Sequence, residues 1–446
     1  MLRLLTFLTY RESRRVINLE RFFHLKENKT TLGKELSAGF ISYITVVYII
    51  IVNATILAVA GIPMEAGIIA TILTSFFGCL IIGLWSNTPI LLIPGMGLNA
   101  MFTYTIVQSG GFTWQEALAM VFTAGIIFIV IAFTPMARII TSSIPDSLKE
   151  AITVGIGVLL ILIGFDNAGI ITNSEHTLLA IGDLSSSTAI ITFLGLIITF
   201  ILFIKNVPGN LLLSIVITSV LAILFGDTQV EGITLAAPSF SEYFTVFGQL
   251  SWAQAGNFIF WLTSISLAMV LVFENIGLIH GHSKMLNRPE SSKKSLQATA
   301  VSVLSSGVFG TSPTVASVES AAGITAGGRT GLTSIVTGLL FLVSLSFIPI
   351  IKIVPANAVS PVLILIGVLM LQNIVNIKMD DFTESFPALL IIVLIPLTYS
   401  IADGMAIGFI LYPIMKLLMG KGREIHPALY MIAILFISNF VLQYAF

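Results

Sequence analysis

Apolar runs of roughly 17–25 residues, separated by short polar breaks, recur from Ile41 to the C-terminus, and each is long enough to cross about 30 Å of hydrocarbon as a helix. The alternation of outer-membrane strands is absent, and a backbone in lipid must satisfy its own hydrogen bonds, so helices are the remaining solution. The expected class is an all-α polytopic membrane protein. The runs predict fourteen spans, at 37–60, 66–84, 90–108, 115–134, 148–171, 187–205, 208–225, 256–280, 295–309, 313–328, 331–350, 357–376, 383–400 and 402–418. Pro427 to Phe446 is also apolar enough to span. The pattern leaves open whether it is a fifteenth span, an interfacial helix or a sign that 383–418 divides differently.

Two of these runs are poor continuous helices. The third reads Pro89-Ile-Leu-Leu-Ile-Pro94-Gly95-Met96-Gly97-Leu98-Asn99, and the tenth reads Gly310-Thr311-Ser312-Pro313-Thr314-Val315-Ala316-Ser317-Val318-Glu319. Prolines and glycines at these spacings predict an extended stretch followed by a helix, starting near Leu98 or Asn99 in one case and near Glu319 in the other. Pro94 and Pro313 are expected to mark the ends of the extended segments. Non-helical backbone at membrane depth is tolerated where it is buried in protein or lines a cavity. Matched breaks in two halves of a chain point to a site at the midplane, whereas packing kinks would need no matched polar companions. Here the companions match: Asn53 precedes Asn99 by 46 residues, and Glu274 precedes Glu319 by 45. The expected organisation is a 7+7 inverted repeat, with a tail at 1–36, repeats at 37–225 and 256–418, an extracytoplasmic linker at 226–255, and a C-terminal segment at 419–446.

Composition agrees with a lipid environment: 56% of residues are hydrophobic and 10% charged, with a mean hydropathy of +1.02, against about 25% charged in soluble domains. The placement of charge adds orientation. With the N-terminus inside, all but Lys352 of the 21 Lys and Arg residues face the cytoplasm, as the positive-inside rule requires. The N-terminal stretch lacks a small-residue cleavage site and reads as a cytoplasmic tail. The lone Cys79 reads as a packing residue. Neither a Walker loop nor a metal-ligand cluster is evident, so the Gly327-Gly328-Arg329-Thr330-Gly331 stretch reads as a joint between two helices.

Four acids fall within or at the edge of predicted spans: Asp166, Glu274, Glu319 and Asp403. A charge at the bilayer centre costs at least about 2.5–3.5 kcal/mol on insertion scales, so each needs a partner, a water-filled cavity or a proton. Glu274 sits deepest among apolar neighbours, where desolvation favours the neutral acid and suits a group that binds and releases a proton. Glu319 stands where free N–H groups of a starting helix favour its charged form. Either acid would otherwise serve as a buried polar tie between helices. Asp166 and Asp403 read as interfacial. His280 and His282, next to Lys284, read as a pair at the cytoplasmic end.

Several of these segments resemble the nucleobase:cation symporter-2 superfamily, in its AzgA-like branch of hypoxanthine, guanine and adenine permeases. The resemblance is carried by Tyr48-Ile-Ile-Ile-Val-Asn53, Pro94-Gly-Met-Gly-Leu-Asn-Ala100, Ile144-Pro145 with Leu148-Lys149, Gly164-Phe-Asp-Asn-Ala-Gly169, Gly310-Thr-Ser-Pro313 with Glu319-Ser-Ala-Ala-Gly323, and Pro396-Leu-Thr-Tyr-Ser-Ile-Ala-Asp-Gly404. It implies a core of spans 1–4 and 8–11, a gate of spans 5–7 and 12–14, short strands in spans 3 and 10, and proton symport by a homodimer. It also implies that Glu274 and Glu319 contact the base. The sequence departs from the branch at Glu274-Asn275, where Asp-Thr is usual, at Thr299, where Asp is usual, and at Ser317, where Tyr is frequent.

The expected function is therefore proton-coupled uptake of a purine nucleobase across the inner membrane by alternating access, without enzymatic activity. Candidate substrate residues are Glu274, Glu319, Asn99, Gly97, Ser317, Thr314 and Asn53, with Glu274 coupling the proton. Two carboxylates and strand main chain can read the N–H and acceptor edge of a planar base. No cofactor other than the proton, and no nucleic-acid partner, is expected; lipid and a second copy are. Xanthine, urate or uracil are competing substrates, and an anion carrier or a channel are more distant readings.

Overall fold

A computed structural model of the chain describes residues 20–137, 143–172, 177, 179–225 and 240–445. Arg138, the start of the tail and much of the 226–255 linker lie outside the described residues. Among the described residues, nine helices are long and apolar enough to cross a membrane: Leu32–Val59, Met64–Trp85, Trp114–Phe133, Asp146–Asn167, Ser187–Ile204, Phe258–Met285, Gly331–Ile351, Ala356–Asn376 and Ile401–Leu418. Asn210–Leu224 and Phe382–Thr398 are shorter apolar helices. Ser291–Phe309 is a full-length helix but richer in serine and lysine.

Several boundaries move from their expected places. The first helix begins at Leu32 rather than 37, because the Thr31 hydroxyl caps it by accepting from the Lys34 N–H. The ninth begins at Ser291 rather than 295. Pro427–Ala445 forms a helix of its own, separated from Ile401–Leu418 by a short turn at Gly422–Glu424. Around the end of the expected fifth span the chain forms a small hairpin, β2 (Ile171–Thr172) against β3 (Ala180–Ile181).

The helices sort into two groups by what they pack against. In the first, Met64–Trp85 lies on Gly331–Val343 and Ser291–Phe309, Trp114–Phe133 lies on Ser291–Phe309 and Phe258–Met285, and Leu32–Val46 lies on Gly331–Val343. In the second, Asp146–Asn167 lies on Ala356–Leu371 and Phe382–Thr398, and Ser187–Ile204 and Asn210–Leu224 pack together beside Ala356–Leu371. Small residues let backbones approach, as apolar side chains gain little from leaving lipid. A Cβ built on Gly157 would sit 2.7 Å from the Gly367 carbonyl. One on Gly125 would sit 2.5 Å from the Leu304 Cα. Contacts between the groups are fewer.

Two segments interrupt the first group. Strand β1 (Leu92–Pro94) pairs antiparallel with β4 (Thr314–Ala316), with Leu92 opposite Ala316, Ile93 opposite Val315 and Pro94 opposite Thr314. Helix Met96–Ala100 follows β1 and runs on as a π-helix over Met101–Ser109, while Ser320–Thr325 follows β4 with Glu319 as N-cap. The prolines are not symmetric: Pro94 ends β1, but Pro313 precedes β4. The first of these helices starts at Met96, slightly before the expected position.

Candidate substrate site

A two-stranded ladder inside a membrane leaves outer-edge groups unpaired, and each must find a partner in protein. Serine and asparagine side chains supply them. The Ala316 N–H donates to Asn275 Oδ1 at 2.8 Å, the Thr314 N–H to Ser306 Oγ at 3.2 Å, and the Leu91 N–H to Ser320 Oγ at 3.0 Å. Ser334 Oγ lies within hydrogen-bonding distance of two acceptors, the carbonyls of Thr88 and Ile90, at 2.9 and 2.7 Å. The break is thus held rigidly by hydroxyls and amides from helices of the first group.

Beneath the ladder lies a buried neutral network. Asn53 donates to Thr71 Oγ1 at 2.8 Å and to Thr311 Oγ1 at 2.9 Å. Ser312 Oγ lies within hydrogen-bonding distance of two acceptors, Asn99 Oδ1 at 2.6 Å and Asn53 Oδ1 at 3.1 Å. The matched pair Asn53 and Asn99 therefore meets at Ser312. Thr314 turns its hydroxyl to Ser302 at 2.8 Å, and Gly97 packs against Ile156 of the second group, where a Cβ would come within 2.9 Å of Cγ2. These four residues join the break to its surroundings.

Glu319 and Ser317 form a different cluster. Tyr48, at a kink between Leu32–Val46 and Ile49–Val59, donates its hydroxyl to Glu319 Oε1 at 2.6 Å. The Ser317 hydroxyl donates to Oε2, and the Glu319 N–H donates back to Ser317 Oγ at 3.2 Å. Glu319 is half-buried, and the neighbouring Val318 is 63% exposed although it lies at the break. A carboxylate offers about four acceptor positions, so two hydroxyls leave it able to accept more.

Glu274 lies on Phe258–Met285, one residue before the Asn275 that holds β4, and is also half-buried. Its carboxyl has no hydrogen bond or ion pair among the described residues. Gly277 and Gly281 follow at helical spacing on a related face, and a Cβ on either would meet nothing within 4 Å. Thr299 turns its hydroxyl onto its own helix, to the Ser295 carbonyl at 2.8 Å.

The four acids picked out by sequence are not the only embedded ones. Glu35 is fully buried and accepts from the N–H groups of Arg329 and Thr330, at 2.9 and 3.3 Å, and from Thr333 Oγ1 at 2.6 Å. It ties down the joint just before the helix that Thr330 caps. Glu65 pairs with Lys352 at 2.6 Å. Glu384 meets Lys416 at 3.1 Å and Tyr412 at 2.8 Å. Asp166 stands near Tyr104 and Tyr399, and Asp403 lies in the first turn of Ile401–Leu418. A cavity of about 410 Å³ is lined by Ser143, Lys149, Lys378, Glu384, Tyr412 and His426. Its mixed charges offer no pattern for one ligand class.

The model of a protein family described as a permease family matches residues 33–407. The chain belongs to this family. Relatives of the permease include the nucleobase transporter PlAzg2 of Paenibacillus larvae, 50% identical over 85% of this chain and 76% of that protein. Others are the guanine/hypoxanthine permease PbuO of Bacillus subtilis, 38% identical over 94% and 100%, and the adenine permease AdeP of Escherichia coli, 36% identical over 95% and 96%. Among solved structures, the transmembrane domain of the cyanobacterial bicarbonate transporter BicA superposes with a TM-score of 0.63 at 17% identity, covering 84% of this permease and 97% of that chain. Murine Slc26a9 in an inward-facing state gives 0.63 at 12%, covering 87% and 69%. These two likenesses concern the fold. The permease is a multi-pass membrane transporter and not an enzyme.

Three site residues escaped sequence reading: Tyr48, Asn275 and Ser312. Tyr48 and Asn275 lie in segments that drew notice for other reasons, but their partners are 271 and 41 residues away. The expected His280–His282 pair also divides, since His280 is exposed and His282 is buried.

Proposed function

We propose that the permease imports purine nucleobases, hypoxanthine, guanine or adenine, by proton-coupled alternating access across the cell inner membrane, with its N-terminus in the cytoplasm. Support comes from the relatives, which are nucleobase, guanine/hypoxanthine and adenine permeases by name. The observation that carries the reading is Glu319, fixed at the strand junction by two hydroxyl donors and still able to accept from the N–H edge of a planar base. Glu274, with no hydrogen-bond or ion-pair partner among the described residues, is the group free to trade a proton for substrate. Val318 and the open Gly277–Gly281 face lead from the break toward the Lys284 end of the helix, which fits a crevice open to the cytoplasm.

In this reading the first group is the core and the second the gate, and the antiparallel β1–β4 pair relates two inverted repeats of seven spans each. Movement of one group against the other is eased by the sparse contacts between them. A homodimer in lipid completes the proposal. The test is uptake of radiolabelled hypoxanthine by cells lacking their own permeases, in competition with a panel of purines and pyrimidines. Strong displacement by adenine or guanine is expected. Displacement by uracil or xanthine alone would transfer the assignment to another base, and absence of uptake of every base would end it.

A further inference from the structure

We propose that Val318 is the side chain against which the plane of the base lies, so that Glu319 holds the edge of the substrate and Val318 its face. The inference rests on the reading of Glu319 as the substrate carboxylate and adds a contact that this reading does not use.

Every residue of the two arms of the break, 89–95 and 311–317, is buried. Val318 is the first side chain to emerge from the second arm, at 63% exposed, and Ser320 two residues later is buried again. Lipid is not what it meets. Glu319, the next residue, is half-buried, and a carboxylate turned toward hydrocarbon would bear the cost of an uncompensated charge. The elements on either side, β4 and Ser320–Thr325, both pack on Phe258–Met285, the helix on which a Cβ at Gly277 or Gly281 meets nothing within 4 Å. The exposed valine therefore stands in the crevice.

The turn that carries both side chains sets their directions. The N–H groups of Ser320, Ala321 and Ala322 donate to the carbonyls of Ser317, Val318 and Glu319 at 3.1, 3.1 and 2.9 Å, each bond joining residues three apart. Successive side chains in such a turn diverge by about 100–120°. Glu319 turns onto the Tyr48 and Ser317 hydroxyls, and Val318 projects steeply away from it. A planar base needs two contacts so disposed: polar groups in the plane of its ring and apolar surface over its face.

The opposite arm offers less. After β1 come Gly95 and Gly97, whose backbone lies so close to Val315 and Ile156 that a Cβ would stand 2.7 and 2.9 Å from their methyl groups, and Met96 between them is half-buried. Val318 is also stiff, since branching at Cβ restricts its χ1. Its two methyls form a surface that loses little freedom when a ring settles on it.

The experiment uses the purified full chain and whichever of hypoxanthine, guanine and adenine binds it most tightly by calorimetry. Val318→Ala removes both methyls, and affinity should fall about tenfold. Val318→Thr keeps the shape and exchanges one methyl for a hydroxyl, with a fall of about threefold expected. Val318→Cys reads the contact directly, because Cys79 is buried and a soluble maleimide then meets the new thiol. Saturating base should slow that reaction several-fold. Gly281→Cys, farther along the open face of Phe258–Met285, is the control for closure of the crevice, and its labelling should stay as fast with base as without. Wild-type affinity in both Val318→Ala and Val318→Thr overturns the proposal, as does equal protection of the two cysteines, which marks closure rather than contact. In either case the base still binds and the functional reading stands. Absence of binding of all three purines to the wild-type protein removes the functional reading, and this contact with it.

Discussion

Two clusters of acid lie in this permease, one at the break and one around the buried Lys416, and they are satisfied in opposite ways. Lys416 is 3% exposed and reaches three carboxylates: Glu384 at 3.1 Å, Glu424 at 3.2 Å and Asp381 at 3.6 Å. It joins the start of Phe382–Thr398 to the end of Ile401–Leu418 and to the turn at Gly422–Glu424. Among the described residues, no lysine or arginine pairs with an acid at the break. Among those residues Glu319 has two neutral hydroxyls and Glu274 has no hydrogen bond or ion pair. A carboxylate that meets a buried lysine stays ionised and structural. One that meets only hydroxyls, or open space, can change partner and proton without leaving a charge stranded.

The largest effect should come from Glu319→Gln. A hydrogen bond to a charged group contributes about 1.5–3 kcal/mol, and the amide both loses the charge and turns an N–H₂ toward Tyr48 or Ser317. Base affinity should weaken by about 100-fold or more, with two such bonds lost at about 1.4 kcal/mol per tenfold. Calorimetry on purified protein measures it. Unchanged affinity would make Glu319 a structural acid like Glu384 and dissolve the contrast.

Glu274→Gln sharpens the contrast from the other side. If its proton is traded for substrate, the amide imitates the protonated acid, so exchange should persist while uphill uptake on a proton gradient is lost. Both are read in proteoliposomes of controlled orientation. Purine accumulation by Glu274→Gln on a proton gradient alone would move the coupling role to another acid.

Lys416→Met tests the structural cluster. Removing one partner of a buried pair typically costs about 3–5 kcal/mol, because the remaining charge is stranded. A marked fall in melting temperature is expected, with base affinity of the folded fraction unchanged. Acid should act in the same direction. Asp381 is held well below the usual carboxylate range, first by the Thr383 hydroxyl and N–H. A depressed pKa means that its contribution is full above the unfolded value and lost as pH falls through the folded one. Insensitivity of stability to both changes would show that the cluster ties nothing together.

Much of the break was legible in the sequence, because proline and glycine act locally: Pro89, Pro94 and Gly95 crowd two helix-disfavouring residue types into seven positions, whereas the isolated Pro361 and Pro413 stay inside helices. Glu274 and Glu319 were legible because an acid in an apolar run is conspicuous. The partners were not. Glu35 reads as part of a tail until the joint before the helix at Gly331, some 300 residues later, presents the Arg329 and Thr330 N–H groups to it. Asn53 and Asn99 were legible as a matched pair by their spacing, but the Ser312 hydroxyl that lies within reach of both was not. His280 and His282 looked alike because sequence does not record which side of a helix is sealed.

The smallest predicted effect lies at the seam between the two groups, where the tie is neutral. Thr105, in the π-helical stretch after β1, donates its hydroxyl to the Tyr399 carbonyl at 3.2 Å and accepts from the Ile401 N–H at 3.1 Å. Tyr399 has φ of 51° in the turn between Phe382–Thr398 and Ile401–Leu418, so this one hydroxyl closes a strained turn of the opposite group. The adjacent Tyr104 and Tyr399 rings stand 6.3 Å apart. Thr105→Val keeps the shape and removes both bonds. Under the proposed orientation this joint closes the outer side, so its loss should favour opening there by about 1 kcal/mol, the usual net worth of a hydrogen bond, or somewhat under tenfold in population. Cys79 is buried, so Val318→Cys can report the change through an impermeant maleimide added outside. Labelling several-fold faster in Thr105→Val, with melting temperature little altered, is the expected outcome. Equal labelling rates would show that the seam opens without breaking this joint, and that Thr105 serves only the local fold of the Tyr399 turn.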